Sequence, residues 1–482
     1  MATETSLGAP EPLDTEKLDA EAIASTDGAP ASDGTPVDAG WLATHVEDPS
    51  ARGIAASLTA LIRGGSLRAG HRLPTVREFG ARLGVSPATV SEAWSILRRR
   101  RSISGRGRAG TVVTGPPDAP RPYRFERAGR YGDRLRHDLR LAVPDPALLP
   151  PLDLALAEAL RAEAINEYER VGITPQLAEA VRPTWPPALG SGSLLAVNGG
   201  FDALLLLCQT LVTSGDRVAV EDPTAPRLLD ILDAVGAEVL PVACDERGPR
   251  PDALAAVLRH RPVLFCFQPR AHSPAGHDVD AARRDELADL LTGTDTLAVE
   301  DDGLGDLAAA PVYSIGERLP ERTVLIRSYS KSHGPDLRLA VLGGPAAIME
   351  KVRVYRTFGA GWTSRILQNC LAVLLGDPAV GRAVTRAGQV YRQRRATLAN
   401  ALADRGIATT GTDGLGLWVP VDDERSALVT LAAAGIAVVP GSRYFHGRHR
   451  PHLRVATGRG IEPLGEVADL IAFAASDPDA SD

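Results

Sequence analysis

The stretch SYSKSHGPDLR, residues 328–338, directly follows the apolar run TVLIR at 323–327. A short apolar run bounded by polar and turn residues is typical of a buried strand. Only three lysines stand among the 53 basic residues of the chain, and Lys331 is one of them. Because arginine serves nearly everywhere else, a lysine at this place indicates a role that arginine cannot fill, such as forming a Schiff base.

The region around this stretch reads as an α/β domain. From about residue 138 onward, short apolar runs alternate with helical segments, which predicts a largely parallel sheet. The predicted strands of a large subdomain, which extends to about residue 390, are 194–197, 217–220, 262–267, 296–299 and 323–327. A smaller α/β subdomain is predicted over 394–475, with strands at Gly416–Val421, Ile436–Val439 and Leu453–Ala456.

Polar residues follow these predicted strands at the places where ligands of open α/β sheets bind. Asn198-Gly-Gly200 lies between strand 194–197 and a helix, which leaves backbone N–H groups for a phosphate. Asp301 follows strand 296–299, and Lys331 follows strand 323–327. A lysine, a carboxylate and a phosphate cradle together meet the needs of pyridoxal phosphate (PLP).

Each part of PLP has a predicted partner. Lys331 would form the Schiff base, and Asp301 would hold the proton on the pyridine nitrogen. The predicted phosphate partners are Gly200, Phe201, Ser328, Ser330 and Arg338. A substrate or effector carboxylate needs a second arginine, and Arg454 is the candidate.

Three motifs carry a family resemblance. They are Ser328-x-Ser-Lys331 with Arg338 seven residues on, Val439-Pro-Gly-Ser442 followed by Arg454, and Gln268-Pro-Arg-Ala-His-Ser-Pro-Ala-Gly276. On these motifs, residues 138–475 resemble the fold-type I aminotransferases of class I/II. The resemblance implies a PLP-binding α/β domain of that fold, with Ser273 at the position of a cofactor-binding asparagine.

The chain departs from this family at three positions near the cofactor ring. Ser273 stands where the aminotransferases carry asparagine, Gly303 where many relatives carry Tyr or His, and Ala225 where a Tyr is common. The lysine, the aspartate and the phosphate partners remain. The changes favour weaker PLP binding and argue against efficient transamination.

Residues 50–114 read as three helices and a hairpin. Helix one is predicted over about 51–63, and helix two starts at the capping box Thr75-Val-Arg-Glu78 and ends at Leu83-Gly84. Helix three starts with Ser86 as N-cap and Pro87 as its first residue, and it runs to about Arg100. Residues 103–113 alternate around glycines, which suits a two-stranded wing.

This pattern is that of a winged helix-turn-helix, an α+β fold whose second helix enters the major groove. The predicted DNA contacts are Arg77, Ser86, Ala88, Thr89 and Ser91, with Arg106 and Arg108 of the wing in the minor groove. The run from Gly70 to Val90 resembles the GntR family of repressors, although Arg101 and Arg108 replace usual glycines. Head and body together resemble the MocR/GabR-type regulators, which implies a homodimer on double-stranded operator DNA with repeated half-sites.

Charge is distributed unevenly along the chain. Residues 1–50 hold 11 Asp/Glu and one Lys, whereas residues 51–114 hold 12 Arg and two Glu. The basic module indicates a polyanionic partner. Residues 1–49 are predicted to form a disordered acidic tail that is either passive or a weak competitor of DNA, and the Pro-, Gly- and Arg-bearing residues 115–137 are predicted to form a linker to the body at 138–482.

Several classes of protein are excluded. No apolar run approaches a membrane span of roughly 20 residues, and no signal peptide is evident, so we expect a cytoplasmic protein. The four cysteines lie far apart and predict neither a disulfide framework nor a metal site. His446, His449 and His452 lie in a loop that offers no carboxylate or thiolate in the local sequence, so no metal is predicted there.

Three functions remain open. The first is a transcriptional regulator whose body binds PLP and senses PLP, an amine or an amino acid, without physiological turnover. The second is an active PLP-dependent aminotransferase with an autoregulatory DNA-binding head. The third is a repressor whose body is a degenerate scaffold free of PLP. The sequence identifies neither the effector nor the operator.

Overall fold

The computed structural model describes residues 35–99, 102–105, 110–116, 122–126, 135–162, 165–189, 193–447 and 449–476. These residues belong to two compact units, and the boundary between the units lies between residues 121 and 122. We refer to the first unit as the head and to the second as the body, and we describe each by itself.

In its described residues, the head has four helices and a small sheet. Its described helices are α1 (Ala39–Ala43), α2 (Ala51–Arg63), α3 (Val76–Leu83) and α4 (Pro87–Arg99), and its strands are β1 (Arg72–Leu73), β2 (Ile103–Ser104) and β3 (Thr111–Val113). The three strands are antiparallel in the order β1-β3-β2. The predicted helices and the predicted wing are present, whereas β1 was not predicted because a two-residue strand has no recognisable periodicity.

Local chemistry sets the bounds of α3 and α4. The hydroxyl of Thr75 accepts a hydrogen bond from Glu78 N at 3.2 Å, and left-handed Gly84 ends α3. The hydroxyl of Ser86 accepts a hydrogen bond from Thr89 N at 3.2 Å at the start of α4. The ring centroids of Phe79 and Trp94 lie 5.6 Å apart, so the two helices are joined through a buried aromatic pair.

The predicted boundary of the acidic tail is wrong at its C-terminal end. Residues 35–49 belong to the head, where Asp38 caps α1 and accepts a hydrogen bond from Trp41 N at 2.7 Å. Leu42 is fully buried against the core of α2 and α4. Leu42 therefore provides apolar burial and Asp38 provides a helix cap. The composition of the predicted tail indicated neither. Residues 1–34 of the predicted tail lie outside the described residues.

The body is an α/β domain with a large central sheet. Its described helices are α5 (Tyr123–Glu126), α6 (Asp153–Ala159), α7 (Pro175–Val181), α8 (Gly200–Leu211), α9 (Pro226–Val235), α10 (Pro251–Leu258), α11 (Ala281–Leu291), α12 (Ala346–Tyr355), α13 (Arg365–Gly376), α14 (Pro378–Ala403), α15 (Glu424–Ala433) and α16 (Leu464–Ala475). Its strands are β4 (His137–Asp138), β5 (Leu194–Val197), β6 (Arg217–Asp222), β7 (Glu238–Asp245), β8 (Gly248–Pro249), β9 (Leu264–Phe267), β10 (Leu297–Asp302), β11 (Thr323–Ser328), β12 (Ala340–Gly343), β13 (Gly416–Pro420), β14 (Ile436–Ala437), β15 (Val439–Pro440) and β16 (His452–Ala456).

The central sheet has the order β5-β12-β11-β10-β9-β6-β7-β8. Strands β11, β10, β9, β6 and β7 are parallel, and β12 is antiparallel to both of its neighbours. The largely parallel sheet was predicted, and all five predicted strands of the large subdomain are present. The chain reverses between β11 and β12 at 329–339, and this reversal holds Lys331 beside the carboxyl ends of the parallel strands.

The predicted linker 115–137 is too long at its C-terminal end. Arg124 N and Phe125 N donate to the carboxylate of Asp230 at 3.2 Å each, so α5 is attached to α9 of the body. Strand β4 pairs in parallel with β14. Hydrogen bonds from these short segments to distant parts of the body, which composition does not reveal, explain the difference.

The smaller subdomain contains the sheet β13-β16-β15. Two of its three predicted strands match β13 and β16, but the predicted strand Ile436–Val439 is divided between β14 and β15. The predicted subdomain boundary near 390–394 falls inside the single helix α14, which spans 26 residues. Val384, Ala387 and Tyr391 of α14 pack with Leu304 and Leu307, whereas its later residues pack in the core of the smaller subdomain.

Within the described ranges, no helix combines the length and apolarity that a membrane span requires.

Candidate cofactor cleft and nucleic-acid interface

Lys331 and Arg454 line the same cleft of the body. Strand β16 carries Arg454, and the turn after β11 carries Lys331. The remaining lining residues come from four segments and are Ala142, Ala271, His272, Ser273, Pro274, Leu304, Asp413, Gly414, Leu415 and Gly416. The large and small subdomains therefore both contribute walls, and three residues predicted from sequence (Ser273, Lys331 and Arg454) face one space.

The surroundings of Lys331 shift the pKa of its ammonium group. Burial lowers the pKa of the Lys331 ammonium below its ordinary value, Asp301 opposes this change, and Arg454 adds to it. An amine with a lowered pKa is more readily neutral and hence more nucleophilic toward a carbonyl carbon. The surroundings therefore make Lys331 more readily neutral than an exposed lysine.

Asp301 lies near the end of β10, the strand next to β11. Burial raises the pKa of its carboxyl to about 7, Lys331 lowers that pKa, and Asp302 and Glu221 raise it further. Asp302 is held by different partners, Arg270 at 2.8 Å and Arg327 at 3.0 Å. A cationic partner such as a protonated pyridine nitrogen would favour the ionised form of Asp301.

A narrow cradle lies beside Asp301. A Cβ atom on Gly200 would lie 3.5 Å from Asp301 Oδ1 and 3.6 Å from Ser328 Cβ, so Gly200 brings the start of α8 close to both residues. Gly199 has φ +100°, and a Cβ there would approach Arg338 Nη2 to 3.1 Å. This arrangement fits a phosphate, because α8 contributes the positive end of its dipole and Arg338 a guanidinium.

Arg338 is itself held in the left-handed region, with φ 50°, and its Nη2 donates to Asn198 O at 3.1 Å. Ser330 N donates to Ser328 Oγ at 3.4 Å, which gathers these two predicted residues on the same side as Gly200. The donor set, and the space that only glycine leaves, fit PLP. When bound, PLP would supply an electron-withdrawing ring to any amine attached to it.

Sequence reasoning missed Arg227, which lies beside Phe201. The Arg227 guanidinium carbon lies 4.5 Å from the centroid of the Phe201 ring. Burial lowers the pKa of Arg227, and nearby Arg338 lowers it further. Arg227 and Arg338 thus bring two positive charges close together at the cradle. Such a pair is suited to bind a dianion, because the dianion would offset their repulsion. The signal in the sequence was Pro226-Arg227 at the start of a helix after β6.

The backbone on both sides of Ser273 is fixed by Gln268. Ser273 N donates to Gln268 Oε1 at 3.0 Å, and Gln268 Nε2 donates to Ser273 O at 3.3 Å. The peptide bond between Ser273 and Pro274 is cis. The loop thus presents the short Ser273 side chain to the cleft where the aminotransferases have a longer amide, which leaves more space beside Lys331.

Arg454 presents an unsatisfied donor. Its Nη2 donates to Arg140 O at 2.6 Å, while its buried Nε has no hydrogen-bond partner. The side chain is 7% exposed, so the missing hydrogen bond carries a cost of about 1–3 kcal/mol. A carboxylate that entered the cleft would remove that cost.

His272 is a second cleft residue that the sequence did not reveal. Burial lowers its pKa to about 3, so the ring is neutral. Its Nδ1 accepts a hydrogen bond from Ala275 N at 3.2 Å, and its Nε2 lies 3.1 Å from Pro223 O. These contacts give the ring a structural role in the loop that carries Ser273.

In the head, the predicted DNA contacts at the start of α4 lie on its outer face. Ser86, Ala88 and Ser91 are exposed and Thr89 is half-buried, whereas Val90 on the opposite face is buried. Arg77 is exposed on α3. The hydroxyls of Ser86 and Thr89 lie 2.9 Å apart and share a hydrogen bond. Arg106 and Arg108 lie outside the described residues, so their predicted role in the wing has no structural counterpart here.

The expectation that no carboxylate lies near the loop with His446, His449 and His452 was wrong. A carboxylate does lie beside it, because Glu424 Oε1 is 3.3 Å from His449 Nε2. The sequence concealed this contact, since Glu424 starts a helix on another segment. His452 Nδ1 lies 2.9 Å from Arg450 O. Within the described part of the chain, these histidines do not form a group with metal-binding geometry.

Two family models match the chain. Residues 136–469 match aminotransferase class I and II, and residues 50–113 match the bacterial regulatory proteins of the gntR family. The first match covers more than half of the chain. This protein belongs to the MocR-type regulators of the GntR family.

Curated MocR-type relatives align with head and body together. The vitamin B6 salvage pathway transcriptional repressor PtsJ of Salmonella typhimurium is 32% identical over 83% of this chain and 92% of its own. The regulator TauR of Rhodobacter capsulatus is 30% identical over 85% of this chain and 92% of its own. The chain is therefore a transcriptional regulator with a GntR-type DNA-binding head.

Solved structures share the fold of the body. The α-aminoadipate aminotransferase LysN of Thermus thermophilus superposes with a TM-score of 0.64 at 21% identity, over 73% of this chain and 96% of that one. The kynurenine aminotransferase of Pyrococcus horikoshii superposes with a TM-score of 0.65 at 20% identity, over 71% of this chain and 91% of that one. The body of this MocR-type regulator thus has the fold-type I aminotransferase fold predicted from its sequence.

Proposed function

We propose that this MocR-type regulator binds PLP in its body and that PLP, an amine or an amino acid changes how its head binds operator DNA. The observation that carries the proposal is the cleft itself. A half-buried lysine with a lowered pKa faces the same space as a buried arginine with an unpartnered Nε atom. Such a pair is suited to a cofactor aldehyde on one side and a carboxylate on the other.

The residue roles follow from this proposal. Lys331 would bind the PLP aldehyde, Asp301 the pyridine nitrogen, and Arg454 the carboxylate of the effector. The phosphate would take hydrogen bonds from the start of α8 and from three side chains, and Ser273 would lie beside the ring. The phosphate partners are Gly200, Phe201, Ser328, Ser330 and Arg338. Two relatives support a link to vitamin B6: the vitamin B6 salvage pathway repressor PtsJ and the pyridoxine biosynthesis regulator PdxR of Corynebacterium glutamicum.

The absorption spectrum of the purified full chain tests this proposal. Lysine-bound PLP absorbs in the near-visible region, so the parent should show such a band and Lys331→Ala should lack it. Lys351→Ala is a matched control, because Lys351 is an exposed lysine of α12 and its loss should leave the band unchanged. No band after soaking with PLP, or equal bands in Lys331→Ala and the parent, would contradict the proposal and favour a PLP-free scaffold.

Enzymatic turnover is the competing function for a chain that does bind PLP. The small residues Ser273, Gly303 and Ala225 argue against it, because they remove ring-side groups that the aminotransferases use. Incubation with amino donors and 2-oxoglutarate separates the two functions. We expect the band to shift with an effector amine while no glutamate accumulates, and multiple turnovers would instead support an autoregulated aminotransferase.

The DNA-binding role requires an assembly with two heads. We propose a homodimer that binds an operator with repeated half-sites, since paired heads read paired sites. Sedimentation of the chain with and without operator DNA tests this arrangement. A 1:1 complex of one chain with one operator would contradict it.

A further inference from the structure

Three side chains outside the cofactor cleft bring metal-ligand atoms together. Glu221 lies at the end of β6, Cys244 on the neighbouring strand β7, and His277 in the loop after β9. The carboxylate oxygen, the thiol sulfur and the imidazole nitrogen all lie within 4.8 Å of one another. We name these three residues the ECH cluster. Its members are far apart in the sequence, which is why cysteine spacing gave no indication of it.

Two atoms of the ECH cluster are buried without a hydrogen-bond partner. Glu221 is 1% exposed and His277 is 3% exposed, and both Glu221 Oε2 and His277 Nε2 lack a partner. Glu221 is satisfied only through Oε1, which accepts a hydrogen bond from Gln268 N at 3.0 Å. Because buried polar atoms are normally paired, two unpaired atoms within one cluster indicate an absent binding partner.

The imidazole of His277 is closely surrounded. Gly248 lies next to it, and a Cβ on this glycine would stand 3.6 Å from His277 Nε2 and 2.8 Å from Val279 Cγ2. His272 stacks on the other side of His277, with ring centroids 4.0 Å apart, and holds the ring plane in place. Cys244 is half-buried, whereas Glu221 and His277 are buried, so we infer that an ion would enter past Cys244 on the side of β7. A metal site needs both a fixed ligand and an entry path.

The donor chemistry identifies the ion. An imidazole nitrogen, a thiolate sulfur and a carboxylate oxygen are the ligands of Zn²⁺, whereas Mg²⁺ and Ca²⁺ prefer oxygen alone. We propose that Glu221, Cys244 and His277 bind one Zn²⁺ ion, with water as the fourth ligand. Tetrahedral zinc places its ligand atoms about 3–4 Å apart, so small side-chain movements close the site.

Charge balance favours this ion in a buried place. Bound to the ion, Glu221 would be a carboxylate, Cys244 a thiolate and His277 a neutral imidazole, because metal ligands are deprotonated. One doubly charged cation and two anions give a neutral complex, so little net charge is buried.

The site would connect two strands of the central sheet to a wall of the cleft. His277 belongs to the loop that carries His272 and Ser273, both of which line the cleft. An ion at the ECH cluster would fasten this loop to β6 and β7. The proposal stands on the ECH cluster alone and holds whether or not the body binds PLP.

Titration of the metal-free full chain with Co²⁺ tests the proposal, because thiolate bound to Co²⁺ gives an intense charge-transfer band. We expect the band to saturate at one equivalent, to vanish when Zn²⁺ is added, and to be absent in Cys244→Ser. Cys370→Ala is the matched control, since Cys370 is a buried cysteine in another core cluster and its variant should keep the band. Glu221→Gln and His277→Ala should weaken binding by more than the roughly 10–100-fold typical of losing an outer-shell partner.

A second measurement needs no variant. X-ray absorption of the zinc-loaded parent should report one sulfur and otherwise nitrogen or oxygen neighbours. A folded parent without a saturating band, a band that survives in Cys244→Ser, or a zinc shell without sulfur would overturn the proposal. Binding of several equivalents without sulfur would assign the metal to surface histidines instead.

Discussion

At the scale of single residues, the Asp302 carboxylate is the counter-charge of two buried arginines. It is fully buried between Arg270 and Arg327, both of which are less than a tenth exposed. Burial by itself would raise the pKa of Asp302, but the two guanidinium groups hold it below its ordinary value. Asp302 is therefore ionised in the folded chain at neutral pH and balances two buried cations.

Asp302→Asn should destabilise the body strongly. The amide keeps the size of the side chain but leaves two buried guanidinium groups without a counter-charge, which costs about 3–5 kcal/mol of the free energy of unfolding. Urea unfolding of the variant and the parent measures the loss. Asp252→Asn is the control, because its partner Arg250 and Asp252 itself are exposed, and it should be indistinguishable from the parent.

Asp301 makes a different prediction, about pH. Its folded-state pKa of about 7 lies above the ordinary value of 3.8, so the folded chain holds this proton more tightly than the unfolded chain does. The stability contributed by the protonated carboxyl is complete below about pH 4 and is lost as the pH rises to about 7. Asp301→Asn cannot ionise and should not lose this contribution.

The measurement compares the free energy of unfolding of PLP-free parent and variant across that pH window. The difference should move in favour of Asp301→Asn as the pH rises. Asp336→Asn, at an exposed position, is the control and should show no such trend. A pH-independent difference between Asp301→Asn and the parent would show that the folded carboxyl is already ionised.

At the scale of elements, the turn between α3 and α4 depends on one glycine. A Cβ on Gly80 would lie 3.0 Å from Val85 O, the carbonyl at the turn. Gly80→Ala should therefore push α4 away from α3 and destabilise the head by about 1–3 kcal/mol. Operator binding and thermal unfolding of the head measure the effect.

Gly84→Asn is the control for this prediction. Gly84 has φ +69°, and a Cβ at this position would meet no atom within 4 Å, so an asparagine that tolerates left-handed backbone fits there. Comparable losses in Gly80→Ala and Gly84→Asn would show that backbone conformation, rather than close approach, governs the turn.

Sequence patterns predicted elements well where one signal was sufficient. Apolar runs identified β5 and β11, and the caps at Thr75 and Ser86 identified α3 and α4 because capping is local chemistry. Strand β12 was missed because four apolar residues in a mixed segment do not differ from a helix turn. The division of Ile436–Val439 into two strands depends on β4, a partner some 300 residues away in the sequence.

The site was predictable to the extent that cofactor chemistry dictates residue types. Asp301 and Lys331 stand at or just after strand ends, where such chemistry is placed, and Arg454 lies in the middle of β16. Lys331 and Arg454 line one cleft, and Asp301 acts on the pKa of Lys331. Arg227 and His272 were missed, because only the packing of α9 brings Arg227 beside Phe201 and only the 268–279 loop brings His272 to the cleft. The ECH cluster shares this property, since its residues come from three segments.

At the scale of the whole molecule, the basic charge is concentrated in the head. Residues 51–114 carry 12 Arg against two Glu, while the chain as a whole has a net charge of −7. The affinity for operator DNA should therefore fall steeply with salt, since each phosphate contact releases counterions. Arg77→Ala should weaken binding and reduce the slope of log affinity against log salt by about one.

Fluorescence anisotropy with a labelled operator across a salt series measures this slope. Arg382→Ala is the control, because Arg382 is an exposed arginine of α14 in the body and its loss should leave the slope unchanged. An unchanged slope in Arg77→Ala would mean that this side chain contacts no phosphate, and the weakening would then belong to base recognition.

The helix α14 has a mechanical consequence. It is a single rod of 26 residues, about 39 Å long, whose two ends are embedded in different apolar clusters. A rod of that length that turns by about five degrees displaces its far end by about 3 Å, because helices bend little. If the smaller subdomain closed over a ligand, α14 would therefore carry the movement from one of its ends to the other. No flexible hinge at residues 390–394 would be needed.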